Sequence, residues 1–362
     1  MARAKAPKLP RGAVQPRPAV AAMAPYSPPT AGRVGKLRLD FNENTVGCSP
    51  RVIEALAQGL DASTLAVYPE YGEAKQTIAD YFGVRPEQFV FTNGTDEAIQ
   101  VFINTYVDDQ QEVLLLKPAY AMYRFYADVA GAKVREIEYA QPAMDFPLEA
   151  LLDAITPETR AILIANPNNP TGTGVSLLGI ERILRRARKA AVMVDEAYYE
   201  FSGVTALGEI ERVPNLFVCR TFSKVFGMAG MRLGCLFSHE ANIHFLHKAQ
   251  SPYSVNSMAV LAARAAVADA DYVRGYVAEV LAARELLCFG LEKLGVRYVP
   301  SSANFVLGSF GARALEVRDA LGAQAILVRD RSYEAPGCVR ITVGTREQTR
   351  RLLDALEKIW IR

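Results

Sequence analysis

Short apolar runs separated by amphipathic stretches fill residues 37 to 260, and their alternation reads as strand, helix, strand. The runs at 89–91, 112–116, 133–139, 160–165, 191–195 and 215–220 have the length of strands, and several are apolar nearly throughout, as in strands buried on both faces. Between them, 98–106, 120–130, 147–154 and 177–189 carry helical periodicity. Such alternation predicts right-handed βαβ crossovers and an α/β fold whose mostly parallel central sheet has helices on both faces. From about Val260 the texture changes to long Ala/Leu/Arg/Glu helices up to Leu294. Strand-like runs at 296–299, 305–307, 326–328 and 339–343 follow, then an amphipathic helix at 348–359, which together predict a smaller α+β domain. The alternating run 37–41 is expected to join that domain from the other chain end. The expected division is residues 31–50 as the N-terminal part of the small domain, 51–259 as the large domain and 260–362 as the small C-terminal domain.

Open α/β sheets hold their ligands at the carboxyl ends of the strands, and there this chain concentrates reactive side chains. The run 215–220 leads into Thr221-Phe222-Ser223-Lys224, with Arg232 eight positions on. A neutral amine can attack a carbonyl to form a Schiff base, while Thr221, Ser223 and Arg232 can bind a phosphate. A lone loop lysine is ordinarily a solvated one; the residues at the other strand ends change that reading. The run 191–195 ends in Asp195, three residues before Tyr198. An aspartate closing a buried apolar strand is costly unless it meets a partner, the alternative being a helix N-cap. The run 89–91 passes into Thr92-Asn93-Gly94-Thr95-Asp96-Glu97 and then a helix. That order presents backbone N–H groups to a phosphate, although many such turns only reverse the chain. After 160–165 comes Asn166-Pro167-Asn168-Asn169-Pro170-Thr171-Gly172, an irregular loop whose amides can point at a ligand. Tyr120, after 112–116, adds an aromatic face. Pyridoxal phosphate asks for each of these: an amine for its aldehyde, a carboxylate to keep its ring nitrogen protonated, donors and an arginine for its phosphate, and a stacking surface.

Composition narrows the partners. The 362 residues are 50% apolar, enough for a large core and more than one domain. With 41 basic against 39 acidic side chains the net charge is only +2, which argues against nucleic acid or an anionic membrane as a partner. No apolar run approaches the ~20 residues that span a bilayer. Cys48, Cys219, Cys235, Cys288 and Cys338 are odd in number and widely spaced, fitting buried free thiols in a reducing cytosol. His239, His244 and His247 bunch together but match no zinc spacing, so no metal is expected and a helix surface is their expected place. Residues 1–39 hold no acidic and eight basic residues among many prolines and alanines, and residues 1–30 are expected to be a disordered tail.

The motifs Asn42-Glu43-Asn44, Tyr68-Pro69-Glu70, Asn93-Gly94-Thr95-Asp96-Glu97, Asn168-Asn169-Pro170-Thr171-Gly172, Asp195-Glu196-Ala197-Tyr198, Ser223-Lys224 with Arg232, Val328-Arg329-Asp330 and Arg340-Ile341-Thr342-Val343-Gly344 carry a family resemblance. From about Tyr26 onward the chain resembles a fold-type I pyridoxal-phosphate aminotransferase of class I/II, and within that family its histidinol-phosphate branch. The resemblance implies Lys224 as Schiff-base lysine and general base, Asp195 at the pyridine nitrogen, and Asn169 and Tyr198 at the phenolic oxygen. It implies Tyr120 stacked on the ring and Gly94, Thr95, Asp96, Thr221, Ser223 and Arg232 in the phosphate cup. Tyr68 would reach the cofactor of a neighbouring subunit, which implies a homodimer with shared active sites. Asn44, Arg340, Arg329 and Tyr26 are implied at the substrate, Arg329 and Tyr26 helping Arg340 where a phosphate ester replaces the usual α-carboxylate. An ion pair with Asp330 is the other reading of Arg329. Where the family motif continues Pro-Tyr-Gly, this chain has Thr45-Val46-Gly47.

The implied activity is cytoplasmic transamination between L-histidinol phosphate and 2-oxoglutarate by a ping-pong route, in histidine biosynthesis. An aromatic amino-acid aminotransferase and a threonine-phosphate decarboxylase-like lyase are the rival enzymes. The ligand-sensing part of a transcription regulator is the rival outside catalysis, and it would need a winged-helix segment that the 39-residue tail is too short to hold.

Overall fold

The computed structural model describes residues 12–25 and 31–360. In chain order its strands are β1 (Leu37–Leu39), β2 (Phe89–Thr92), β3 (Glu112–Lys117), β4 (Lys133–Glu138), β5 (Thr159–Ala165), β6 (Ala191–Asp195), β7 (Leu216–Thr221), β8 (Gly234–Ser238), β9 (Arg297–Val299), β10 (Phe305–Ser309), β11 (Ile326–Asp330) and β12 (Cys338–Thr342). Seven of them form one sheet in the order β2-β8-β7-β6-β5-β3-β4. Its pairings are parallel except those of β8, which runs antiparallel to both β2 and β7. The five others form a second sheet, β1-β11-β12-β10-β9.

Every residue of β6 and β7 is buried, as expected of central strands covered on both faces. Alternate side chains still sort to opposite sides. Val113, Leu115, Ala161, Leu163, Met193 and Phe217 belong to one core, and Leu114, Ile162, Ile164, Val192, Val194 and Val218 to another. The second core continues without a break into Phe305, Val306 and Ile341 of the smaller sheet, so the two sheets are joined by packing. The parallel ladder sets Ala165 against Asp195 and Asp195 against Cys219, which levels the carboxyl ends of β5, β6 and β7.

Three local features depart from the sequence reading or refine it. The helix after β2 is Gly94–Tyr106, so residues 94–97 form its first turn where a turn ahead of the helix was expected, with Glu97 accepting the Asn93 backbone N–H. Strand β8, Gly234–Ser238, lies outside the strand–helix alternation expected from the sequence. Residues 12–25, within the stretch expected to be unfolded, include a helical turn at Pro18–Ala21, where the Arg17 guanidinium donates to the Val129 carbonyl at 2.5 Å. Segment 37–39 pairs in parallel with β11, Leu37 opposite Ile326. All five cysteines are free thiols. His244 and His247 ride on the exposed side of Glu240–Ala249, and His239 caps that helix. Among the described residues no helix is long and apolar enough to cross a membrane and no side-chain group could hold a metal ion.

Candidate active site

The level carboxyl ends of β2, β3, β5, β6 and β7 open into a cavity of about 510 Å³, within the range of small-molecule sites. Its floor is the large sheet; the opposite wall is segment 41–43 together with Arg329, Arg331 and Arg340 from the small sheet's side. Asp195, the last residue of β6, is buried at the floor, where its Oδ2 accepts the Tyr123 hydroxyl at 2.7 Å and its Oδ1 the Ala197 amide at 3.0 Å. Burial pushes the Asp195 carboxyl above the ordinary aspartate range despite these two hydrogen bonds and a contact with the Cys219 thiol. A phenol, an amide and the Cys219 thiol under-compensate so deep a carboxylate, and a cationic N–H brought by a ligand would complete its partners.

Lys224 lies three residues beyond β7, and its Nζ donates to the Phe41 carbonyl at 3.1 Å, 5.8 Å from the centre of the Tyr198 ring. The buried Tyr198 hydroxyl accepts from Asn42 Nδ2 at 3.0 Å. Asn42 is itself fixed by Thr342, whose hydroxyl donates to Asn42 Oδ1 at 3.0 Å. Asn169 accepts from Arg340 Nη1 at 2.5 Å, and Arg340 Nη2 donates to the Asp40 carbonyl at 2.6 Å. Burial, with Arg331 and Arg329 close by, lowers the Arg340 guanidinium to about 10.

On the other side of the cavity Tyr120 donates to Asp96 at 2.8 Å, and Asp96 also accepts from Arg232 Nη2 at 3.3 Å. Arg232 adopts a left-handed backbone, φ +56°. Gly94 has φ +76°, and a Cβ there would strike the Arg232 guanidinium, so glycine answers both the turn and the close approach. Thr95, Thr221 and Ser223 line the same corner, and the Thr221 hydroxyl accepts the Ser223 amide at 3.1 Å. Free N–H groups of a helix start, hydroxyls and a half-exposed arginine make a donor set suited to a phosphate group.

The cavity thus brings together Lys224, Asp195, Tyr198, Tyr120, Asn169, Thr95, Asp96, Thr221, Ser223, Arg232, Arg329 and Arg340, with Gly94 at its edge. Two of the expected residues lie elsewhere. Asn44 does not reach the cavity: its amide donates to the Val225 carbonyl at 3.0 Å while its Oδ1 accepts the Val46 and Gly47 amides. It therefore pins the Thr45-Val46-Gly47 turn to the Lys224 loop, against Gly227, where any Cβ would collide with the Gly47 backbone. Tyr68 is 73% exposed and stacks on Tyr253 with ring centres 4.4 Å apart. Tyr26 lies outside the described residues. Asp330 accepts the Ser332 amide, and the Arg329 guanidinium sits 5.5 Å from the Phe41 ring centre. Asn42, Glu43, Tyr123, Arg331 and Tyr333 were not singled out as site residues in the sequence. Asn42 and Glu43 were within reach, being part of a quoted motif; nothing in the sequence marked Tyr123, Arg331 or Tyr333.

Beneath the floor Arg220 and Glu196 form a buried ion pair at 2.7 Å, and Glu200 lies 3.9 Å from the same guanidinium. Burial pushes the Glu200 carboxyl up to about 7. Between the usual glutamate range and about 7 the folded protein keeps a proton that the unfolded chain has released, so stability falls as pH rises across that window. The loss attributable to Glu200 is on the order of 3 kcal/mol. Urea melts of the wild type and Glu200→Gln at pH 5 and pH 8 should show a smaller pH-dependent loss in the variant; equal losses would discard this account.

The family model for aminotransferase class I and II matches residues 34–356. A histidinol-phosphate aminotransferase of Geobacillus sp. (strain WCH70) is 37% identical over 334 residues, covering 89% of this chain and 90% of the relative. One from Symbiobacterium thermophilum is 35% identical over 356 residues, covering 94% and 97%. The crystal structure of histidinol-phosphate aminotransferase from Sinorhizobium meliloti in complex with pyridoxal-5'-phosphate superposes with a TM-score of 0.87 at 24% identity, covering 97% of this chain and 99% of that one, an agreement in fold.

Proposed function

The chain belongs to the class I and II aminotransferases, and within that family we propose that it moves an amino group between L-histidinol phosphate and 2-oxoglutarate, with pyridoxal 5'-phosphate as cofactor. The observation that carries the substrate assignment is the ladder pairing of Arg329 directly opposite Arg340. Like charges in register repel, so two arginines side by side at a cavity wall are best accounted for by an anion that uses both. A phosphate monoester is near −2 and offers three acceptor oxygens, whereas a carboxylate is satisfied by one bidentate arginine. The names of the two relatives support the same substrate.

The residues fit the cofactor: Lys224 as its amine, Asp195 for its ring nitrogen, Tyr198 and Asn169 beside its phenolic oxygen, Tyr120 at its face, and the Gly94–Arg232 corner for its phosphate. When bound, pyridoxal phosphate supplies an electron sink for the bonding pair released as the substrate's Cα proton leaves. Lys224 carries that proton, its Nζ being held at the cavity by its hydrogen bond to the Phe41 carbonyl. Asp195 holds a proton on the ring nitrogen. Asn42 orients the Tyr198 hydroxyl, and the arginine wall holds the substrate's anionic end away from the reacting carbon.

Replacing one charged partner of a bound anion costs about 2–5 kcal/mol. Arg329→Ala should therefore lower kcat/KM for histidinol phosphate roughly 30- to 5000-fold and affect glutamate far less. Equal losses for histidinol phosphate, phenylalanine and glutamate would mean that Arg329 reads no phosphate.

The same reading makes the protein a cytoplasmic homodimer, in keeping with its free thiols. Tyr68 is exposed beside Leu65, Val67 and Tyr253, an apolar surface that a second copy would cover while receiving Tyr68 at its own cofactor site. Tyr68→Phe should weaken cofactor retention. Mixing Tyr68→Phe with Lys224→Ala chains should raise activity above that of either alone, because one site of each hybrid has both residues; a mixture no more active than its parts would assign Tyr68 to its own subunit.

A further inference from the structure

We infer that Arg331, held by Glu334 at the rim of the cavity, is a specificity-determining residue that lets the site tell a dianionic phosphate monoester from a carboxylate. The inference rests on the substrate proposed above and adds a third donor that neither the motif nor the paired arginines contain.

Arg331 follows β11 directly, and although its side chain lines the cavity the residue is only 7% exposed. Its Nε is buried with no hydrogen-bond partner. An unpaired donor of a charged group in so buried a place is costly unless a ligand completes it. The rest of the side chain is firmly placed: the guanidinium pairs with Glu334 through Nη2 and lies 5.3 Å from the centre of the Tyr333 ring. Its backbone closes the turn that carries Glu334, since the Arg331 carbonyl accepts the Glu334 and Ala335 amides at 2.9 and 2.8 Å.

Two features of the wall show what Arg331 adds. Arg340 already spends Nη1 on Asn169 and Nη2 on the Asp40 carbonyl, and its Nε, like that of Arg331, is buried and unpaired. Both Nη atoms of Arg340 are thus partly committed to the protein, and the buried, unpaired Nε of Arg331 adds a further donor for a phosphate's three oxygens. Charge points the same way. Glu334 offsets one of the three guanidiniums, and Glu43 on the same wall is already taken up by Arg33, so the wall keeps an excess of positive charge that suits a dianionic phosphate monoester. Burial also pushes the Glu334 carboxyl up against the pull of Arg331, so an arriving dianion can compete for the guanidinium.

The test uses the holoenzyme, whose cofactor phosphate already fills the other anion corner. Arg331→Gln would leave Glu334 buried without its partner, so Arg331→Gln/Glu334→Gln is measured beside it and Glu334→Gln alone as the third variant. The double variant should raise KM for histidinol phosphate on the order of 10- to 100-fold, with a loss for glutamate smaller by about an order of magnitude and kcat changed less than KM. Glu334→Gln, which releases Arg331, should tighten inhibition by inorganic phosphate. Equal losses for both substrates in the double variant, or a lowered melting temperature with the substrate preference intact, would make Arg331 a structural residue and overturn the inference. A wild type that does not turn over histidinol phosphate would overturn the substrate proposal itself, and the inference with it.

Discussion

Replacing Lys224 with alanine is expected to abolish turnover and, with it, the long-wavelength absorption of cofactor joined covalently to the protein. Among the described residues Lys224 is the one lysine lining the cavity. Lys117 is engaged outside it by Glu136 and Glu138 at 3.2 and 3.4 Å, and Lys248 lies over Phe245 on a surface helix. Among the described residues no neighbouring amine is therefore placed to take over either task proposed for Lys224, attaching the cofactor or carrying the Cα proton. Loss of the general base alone removes roughly 10²–10⁴-fold in rate, and loss of the covalent attachment deepens it. Borohydride reduction of the wild type followed by peptide mapping should find the cofactor on Lys224. Finding it on Lys117 or Lys248, or measuring substantial activity in Lys224→Ala, would remove the assignment.

Asp195→Asn should keep the cofactor bound yet slow turnover by roughly 10²–10³-fold, the usual effect of deleting one preorganised electrostatic group. The amide retains an oxygen for the Ala197 N–H and can still meet the Tyr123 hydroxyl, so the packing of the floor is conserved. What it cannot do is favour a protonated ring nitrogen, because it brings no negative charge. Burial already raises the Asp195 carboxyl, which makes its charged form depend on a cationic partner and its removal correspondingly damaging. A rate near that of the wild type would show that the ring nitrogen draws its proton from elsewhere.

Much of this site could be read in the sequence because strand ends are local events. Apolar runs that stop at Asp195, at Asn166 or just before Lys224 mark where a parallel sheet ends, and the ladder brings those positions level whatever the intervening helices do. Residues whose place depends on long-range register could not be read in that way. Choosing Asn42 over Asn44 requires knowing that Thr342 and Asn304 grip the former while the Lys224 loop grips the latter. Tyr123 looks like one apolar position of an amphipathic helix, one turn after Tyr120, until the helix is docked over Asp195. Arg331 becomes a cavity residue only through the β11–β12 pairing and the turn that follows β11. Strand β8 escapes the alternation for a different reason: it enters antiparallel between β2 and β7, where strand–helix alternation anticipates only parallel neighbours.

Pairing of β1 with β11 has a consequence for the order of events during synthesis. Leu37 waits for Ile326, nearly the whole chain apart, before it has a strand to lie against. The large sheet draws only on residues up to Ser238 and can consolidate while the C-terminal third is still being made. Until β11 and β12 emerge, segment 37–43 has neither its neighbouring strand nor the Thr342 hydroxyl that fixes Asn42, so the Phe41 carbonyl cannot be held beside Lys224 and Tyr198 lacks its partner. Closing so long a loop is slow and is rewarded only at the end. A nascent chain can therefore hold the Gly94–Arg232 corner before segment 37–43 is placed, so the wall opposite the large sheet is among the last parts of the site to be completed.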